Sequence, residues 1–312
     1  MTSAVHLSVV SPVFNARECL NELCRRIQTA VQPITGDFEI VLVDDASRDD
    51  SWQVIQGLAA KDPRVRGIHF ARNFGQHHAV TAGLEAARGE WVIVLDCDLQ
   101  DRPEEIPRLY AMARDEGHLC VMGRRAQRQG GLLRRLQSWA FYRLFSYLTD
   151  IPYDGSVSNY SIARRQVVDD VLRMRESVKY YPGFLFWLGY PSGFLDVQHD
   201  IRFSGSTSYT FSKLWRHSQN IIFAHSTRPL ELCVTFGLIV AVLAVIAGGA
   251  YLVWAAVYGF AVSGWASLII SLYFSTGAII FTIGIVGLYV GRIFTEVKGR
   301  PSYVVRSRTF DD

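Results

Sequence analysis

The chain of 312 residues is marked first by what it lacks. Its five cysteines, Cys19, Cys24, Cys97, Cys120 and Cys233, form no C-x-x-C pair. That scatter argues against a disulfide frame or a zinc site, and for reduced thiols in a reducing compartment. The net charge of +3 is too small to argue for a nucleic-acid partner. No G-x-G-x-x-G follows the first apolar run, which weighs against a dinucleotide-dependent dehydrogenase. Met1–Val10 has neither a basic n-region nor a long apolar core, so no cleaved signal is expected. Most telling, no Asp, Glu, Lys or Arg stands between Glu231 and Arg292.

That uncharged stretch is long enough for two bilayer-spanning helices of ~20 residues each. We expect them at about 232–258 and 266–290, joined by a short link carrying Gly259 and Gly264, with Trp254, Tyr258, Phe260 and Trp265 as interfacial aromatics. Arg228 precedes the first, Arg292, Lys298, Arg300, Arg306 and Arg308 follow the second, and the link has no basic residue. The positive-inside rule then puts the large N-terminal domain and both termini in the cytoplasm. Basic amphipathic segments at about 131–149 and 210–226 read as helices lying on the membrane surface. The expected organisation is a domain over 1–228, two spans over 229–292, and a cytoplasmic tail over 293–312.

The first domain reads as α/β. Leu7–Val13, Phe38–Val43, Val65–Phe70 and Trp91–Leu95 are short apolar runs, separated by helix-period segments at Arg17–Val31, Ser51–Ala60 and Gln76–Ala87. This alternation predicts a mostly parallel sheet covered on both faces, with a fifth strand near Leu119–Met122. In such sheets a ligand binds beyond the carboxyl ends of the strands. There the chain places Ser11-Pro12-Val13-Phe14-Asn15, Asp44-Asp45-Ala46-Ser47, Arg72-Asn73-Phe74-Gly75 and Asp96-Cys97-Asp98-Leu99-Gln100. Asp96 and Asp98 are hard oxygen ligands two residues apart, suited to Mg²⁺ or Mn²⁺ bridging a diphosphate. His77 and His78 read as polar residues at a helix start, not as metal ligands.

These strand-end motifs together resemble family 2 glycosyltransferases of the GT-A fold, a Rossmann-like architecture. The run Arg72-Asn73-Phe74-Gly75-Gln76-His77 continuing to Ala82-Gly83 narrows the likeness. So does Gly287-Leu288-Tyr289-Val290-Gly291-Arg292-Ile293-Phe294-Thr295-Glu296-Val297, followed by Arg300-Pro301. Both are similar to the polyprenyl-phosphate branch, which includes dolichyl-phosphate mannose synthases, O-antigen bactoprenol glucosyltransferases and undecaprenyl-phosphate aminoarabinose transferases. The resemblance implies a bacterial inner-membrane enzyme that moves a sugar, with UDP the expected nucleotide, onto a polyisoprenyl phosphate with inversion. It also implies a homo-oligomer, a tetramer by family habit.

By the same resemblance, Pro12, Phe14 and Glu18 would line the base and ribose pocket, and Asp44 or Asp45 would contact the nucleotide. Asp96 and Asp98 would handle metal and diphosphate, and Gln100 would sit near the transferred sugar. Arg124, with Arg134 or Arg135, would face the phosphates. Arg202, ahead of Gly205-Ser206-Thr207-Ser208-Tyr209, would grip the lipid phosphate together with Thr207. Ser208 stands where the family often has Lys, so one cation is missing. A processive polysaccharide synthase is the first rival, but the chain has no Gln-x-x-Arg-Trp motif and too few spans for a channel. The second is a catalytically inactive membrane scaffold, against which Asp96, Asp98, Gln100 and Arg124 all speak.

Overall fold

A computed structural model describes residues 5–125, 143, 146–148, 157–198, 200, 222, 226–258 and 264–311. The chain divides into two compact units. The first is built on an eight-stranded sheet. In chain order its elements are β1 (Leu7–Val13), α1 (Leu20–Val31), β2 (Phe38–Asp44), α2 (Ser51–Lys61), β3 (Val65–Phe70), α3 (Gln76–Ala86), β4 (Trp91–Val94), α4 (Ile106–Asp115), β5 (Cys120–Arg125), β6 (Val157–Arg164), α5 (Arg165–Arg173), α6 (Tyr181–Leu188), β7 (Ser192–Val197) and, from the far end of the chain, β8 (Val305–Arg308). The strand order is β7-β5-β6-β4-β1-β2-β3-β8. β1 to β4 run parallel, β6 lies antiparallel between β4 and β5, and β8 is antiparallel to β3.

β1 and β2 are buried along their whole length, as strands covered on both faces must be. The period of two then sorts their side chains into two cores. Leu7, Val9, Val13, Ile40, Leu42 and Ile93 pack with α1 and α4. Val10, Val41, Val43, Ile68, Val92 and Val94 pack on the other face with α3, α5 and α6. A Cβ on Gly83 would come within 2.2 Å of Val10 Cγ1, so glycine there lets α3 lie close against β1.

Residues 293–312, expected to be a tail, are two things. The helix that precedes them continues to Val297, and Val305–Arg308 forms β8 at the edge of the eight-stranded sheet. Tyr303 stacks on Phe70 at 4.9 Å between ring centroids, and the Arg66 guanidinium lies 3.8 Å from the Phe310 ring centre. Thr309 Oγ1 accepts the Gly67 N–H at 2.8 Å. The short, half-polar β8 carries too little apolar signal to announce itself in sequence.

The second unit holds α7 (Arg228–Tyr258) and α8 (Trp265–Val297), of 31 and 33 residues. Their apolar stretches reach mean hydropathies of 2.6 and 1.9, long and apolar enough to cross a membrane. Only 6% and 0% of those stretches are buried, whereas the core helix of a soluble protein is mostly buried. Tyr289 Oη donates to the Ser226 carbonyl at 2.7 Å, tying the start of α7 to the final third of α8. The helices outrun the expected spans because charged residues bound the apolar stretch, not the helix. The segments expected as surface helices at 131–149 and 210–226 lie almost wholly outside the described residues.

At the amino end of the parallel strands, opposite the acidic rim, Glu39 is 1% exposed. It accepts from Ser8 Oγ at 2.7 Å, from Arg66 Nη1 at 2.9 Å, and from the Arg88 N–H at 2.6 Å and Nη2 at 2.8 Å. Burial pushes its carboxyl up, but the Ser8 and Arg88 hydrogen bonds and the Arg66 charge prevail and hold it below the usual range. Glu39→Ala removes the carboxylate that faces the buried Arg66 guanidinium and lowers stability by about 3 kcal/mol in thermal denaturation. Because the folded value is depressed, this contribution is present above the unfolded pKa and is lost as pH falls through the folded one. The wild-type advantage over the variant therefore shrinks below about pH 4.

Candidate active site

The carboxyl ends of β1, β2 and β4 each turn through a non-glycine residue with positive φ: Asn15 at 51°, Ala46 at 55° and Leu99 at 61°. Such backbone costs of order 1 kcal/mol or more per residue and persists where surroundings enforce it. The enforcing bonds are visible. The Asn15 N–H donates to Ser47 Oγ at 2.9 Å, the Arg48 N–H to Asn15 Oδ1 at 2.8 Å, and the Asp45 N–H to the Val13 carbonyl at 2.9 Å. The first two rim loops thus brace each other.

Pro12 is buried within β1, in register with Val43. In a parallel ladder alternate residues face opposite neighbours, so Pro12, like Val10, faces β4. Pairing on that side ends at Val10 and Val94, and the missing N–H of proline falls just beyond it. Phe14 is 44% exposed at the rim, and Glu18 is exposed in the turn ahead of α1.

Asp44 and Asp45 are both buried and both engaged by protein donors. Asp44 accepts from Ser47 Oγ through Oδ1 and pairs through Oδ2 with His69 Nδ1 at 2.6 Å. The His69 ring stacks on Trp52 at 5.0 Å. Asp45 accepts the N–H groups of Phe74 at 2.7 Å and Gly75 at 2.9 Å, holding the loop that starts α3. Burial raises the Asp45 carboxyl above its ordinary value, against the pull of those two N–H groups.

The loop after β4 brings the strongest charge together. Asp96, Asp98 and the buried Asp101 share it. Burial, and then the charges of Asp101 and Asp98, push the Asp96 carboxyl up to about 7. Two side-chain amides oppose this: Gln76 Nε2 at 2.6 Å and Asn159 Nδ2 at 3.4 Å both donate to Asp96 Oδ1. Asp98 Oδ1 accepts the Gln100 N–H at 3.1 Å. Gln76 and Asn159 were not among the expected site residues. Gln76 stands in a strand-end run and was within reach of sequence reasoning. Asn159 enters from the antiparallel β6, which no strand–helix alternation announces.

Among the described residues no group of three His, Cys, Asp or Glu side chains is arranged to hold a metal alone. A carboxylate pair that destabilises its own ionised form, with the other ligands left to phosphate and water, still fits Mg²⁺ or Mn²⁺ chemistry. Arg124, at the rim end of β5, donates from Nε to Asp196 Oδ1 at 2.7 Å. Arg134, Arg135, Arg202 and Thr207 lie outside the described residues. The cysteines, expected to be reduced, are free and buried.

A mostly parallel sheet with a D-x-D turn at the end of β4 is the GT-A arrangement. The chain belongs to glycosyl transferase family 2, whose profile matches residues 8–172, and it is a glycosyltransferase. A prophage bactoprenol glucosyl transferase homolog of Escherichia coli (strain K12) is 33% identical over 302 residues, covering 96% of this chain and 98% of its own. The bactoprenol glucosyl transferase of Shigella phage SfX is 32% identical over 304 residues, 97% and 99% of the two chains. Among solved structures, glucosyl-3-phosphoglycerate synthase from Mycobacterium tuberculosis, in complex with Mn²⁺, uridine diphosphate and phosphoglyceric acid, has a TM-score of 0.52 at 17% identity. That likeness covers 71% of this chain and 78% of the other.

Asp45→Ala frees the Phe74 and Gly75 N–H groups and lowers stability by about 2 kcal/mol, whereas Asp45→Asn, which keeps an acceptor oxygen, costs less than half of that. Paired thermal denaturation curves check both. Equal losses would mean that the negative charge, not the acceptor, holds the loop.

Proposed function

We propose that this enzyme transfers a sugar from a UDP-sugar to undecaprenyl phosphate with inversion at the anomeric carbon. The observation that carries the reading is the cluster of Asp96, Asp98 and Asp101 at the sheet edge where nucleotide ligands bind, in which burial and then the charges of Asp101 and Asp98 lift Asp96 to about 7. Support for the acceptor comes from the relatives named bactoprenol glucosyl transferase and from two helices long and apolar enough to cross a bilayer. Support for the donor and metal comes from the Mn²⁺ and uridine diphosphate bound by the mycobacterial neighbour.

A phosphate monoester has a second pKa near ~6 and is mostly dianionic at neutral pH. It is already a nucleophile and needs no general base. Its oxygen attacks the anomeric carbon as the bond to the diphosphate oxygen breaks, and the nucleoside diphosphate leaves. A divalent cation held by Asp98 and Asp96 would supply charge stabilisation to that leaving group. Gln76 and Asn159 hold the Asp96 carboxylate in one orientation, and Phe14 and Glu18 bound the nucleotide side. Asp44 and Asp45 shape the loops against which the nucleotide rests. The two phosphate-bearing substrates repel, and guanidinium groups restrain them through bidentate bonds. Arg124, Arg134 or Arg135, and Arg202 with Thr207, take that part. The catalytic unit and both termini lie in the cytoplasm of a bacterial cell, beside the inner membrane.

Incubation with undecaprenyl phosphate, Mn²⁺ or Mg²⁺, and a panel of UDP-sugars is expected to yield a lipid heavier by one sugar residue in mass spectrometry. No lipid product from any donor would overturn the acceptor. NMR of the product is expected to give the β-anomer from an α-linked D-sugar donor, and retention would overturn the single displacement. Asp98→Ala is expected to cut transfer by at least about a hundredfold with circular dichroism unchanged. Full activity of that variant removes the metal role.

A further inference from the structure

β8 is antiparallel to β3, so it begins at the rim end of that strand, and Tyr303 and Val304 lie just ahead of it. Phe70 stands opposite Val305 and His69 opposite Ser307, which leaves Arg306 as one extra residue in the ladder. The Ala71 N–H donates to the Val304 carbonyl at 2.9 Å. The Tyr303 ring stacks on Phe70, and Phe70 in turn meets Phe74 edge-on at 5.6 Å between centroids. The Tyr303 hydroxyl donates to Glu85 Oε2 on α3. Phe74 and Gly75 are the residues whose N–H groups Asp45 accepts, and the next residue is Gln76, the donor to Asp96. A continuous set of contacts thus runs from Tyr303 through Phe70 and Phe74 to the side chain that orients Asp96. At the other end of the segment, away from the rim, the Thr309 N–H donates to the Gly67 carbonyl at 3.0 Å and the Arg66 guanidinium lies over the Phe310 ring.

We propose that Tyr303 is a positioning residue for the acidic rim, holding the turn from Phe70 to Gly75, and through it Gln76, where Gln76 can orient Asp96. Gly75, the last residue before α3, has a φ of 104°, which glycine adopts without strain and which leaves the direction of the helix to be set by contacts. Asp45 grips the turn on one side through two N–H groups, and the Tyr303 ring packs against it on the other. Aromatic pairs contribute beyond the area they bury, and a displacement of about 1 Å near reacting groups is felt in the rate. The inference rests on the reading above only in that Asp96 serves the metal and the donor diphosphate. The acceptor takes no part in it.

The test uses the whole chain in nanodiscs with Tyr303→Leu, Tyr303→Phe, Phe74→Leu and Phe310→Leu. Tyr303→Leu is expected to raise the Mn²⁺ concentration for half-maximal sugar transfer about fivefold, the scale of one aromatic pair, with KM for undecaprenyl phosphate within about twofold. Phe74→Leu, next along the contacts, is expected to reproduce that shift, and it decides the matter if Tyr303→Leu does not fold. Tyr303→Phe keeps the stack and is expected to stay within about twofold of wild type. Phe310→Leu loosens the same segment at its far end, and is expected to lower the melting temperature while leaving the Mn²⁺ dependence unchanged. An unmoved Mn²⁺ dependence in either folded rim variant, an acceptor KM that rises with it, a full loss in Tyr303→Phe, or an equal shift in Phe310→Leu would each overturn the proposal. Hydrogen exchange over residues 71–76, without metal or substrate, reads the turn directly. Tyr303→Leu or Phe74→Leu is expected to speed it and Phe310→Leu to leave it unchanged, and exchange unmoved in the rim variants overturns the role of Tyr303. Wild-type protein that makes no lipid product fails the function reading alone, and the exchange experiment still decides the positioning.

Discussion

Two carboxylates at opposite ends of the same sheet, Glu39 and Asp96, show what the fold is arranged to do. At the amino end, Glu39 meets two arginines, a serine hydroxyl and a backbone N–H, and its carboxyl is held below the usual range. At the carboxyl end, burial and then the charges of Asp101 and Asp98 push Asp96 up to about 7, and among the described residues two neutral amides donate to it. The first is a finished structural pair. The second is a charge imbalance, and such imbalance gathers at functional sites. Left-handed Asn15, Ala46 and Leu99 lie at that same end, so conformational strain and charge strain coincide there.

The rest of the first unit serves that imbalance. Parallel strands buried on both faces end together, which aligns four loops at one rim. Gly83 lets α3 lie against β1, and the start of that helix delivers Gln76 to Asp96. Asp45, by binding the Phe74 and Gly75 N–H groups, fixes where α3 starts. Asp44 does its work one shell further out, through His69 and Trp52. The acidic pair after β2 is thus a scaffold for the pair after β4 in its own protein contacts.

What sequence could reveal followed signal strength. β1 and β3 lie where the apolar runs predict, at Leu7–Val13 and Val65–Phe70, because largely buried strands are dominated by apolar residues even where Ser8, Ser11, Arg66 and His69 interrupt them. β4 ends one residue short of the expected Leu95, and α1 starts at Leu20, not Arg17, after a turn in which the Cys19 N–H bonds to the Ala16 carbonyl. The D-x-D turn was legible because position and residue type agree. Pro12 belongs to a strand-end motif, yet the residue itself is still inside the strand. The contact of Asn159 with Asp96 was not legible, because a single amide bond formed across 63 positions has no periodicity to detect.

β8 bears on the membrane question through connectivity alone. Residues before α7 and residues after α8 belong to the same sheet unit, β7 on one side of the helix pair in sequence and β8 on the other. A folded sheet cannot be threaded through a bilayer, so the chain between its strands can cross only an even number of times. Two helices satisfy that condition and one would not. The basic residues flanking the pair, Arg228 ahead of the apolar stretch and Arg292, Lys298 and Arg300 behind it, favour the same side for both ends on independent, electrostatic grounds. Strand pairing and charge asymmetry are unrelated constraints, and a single crossing would have to break both.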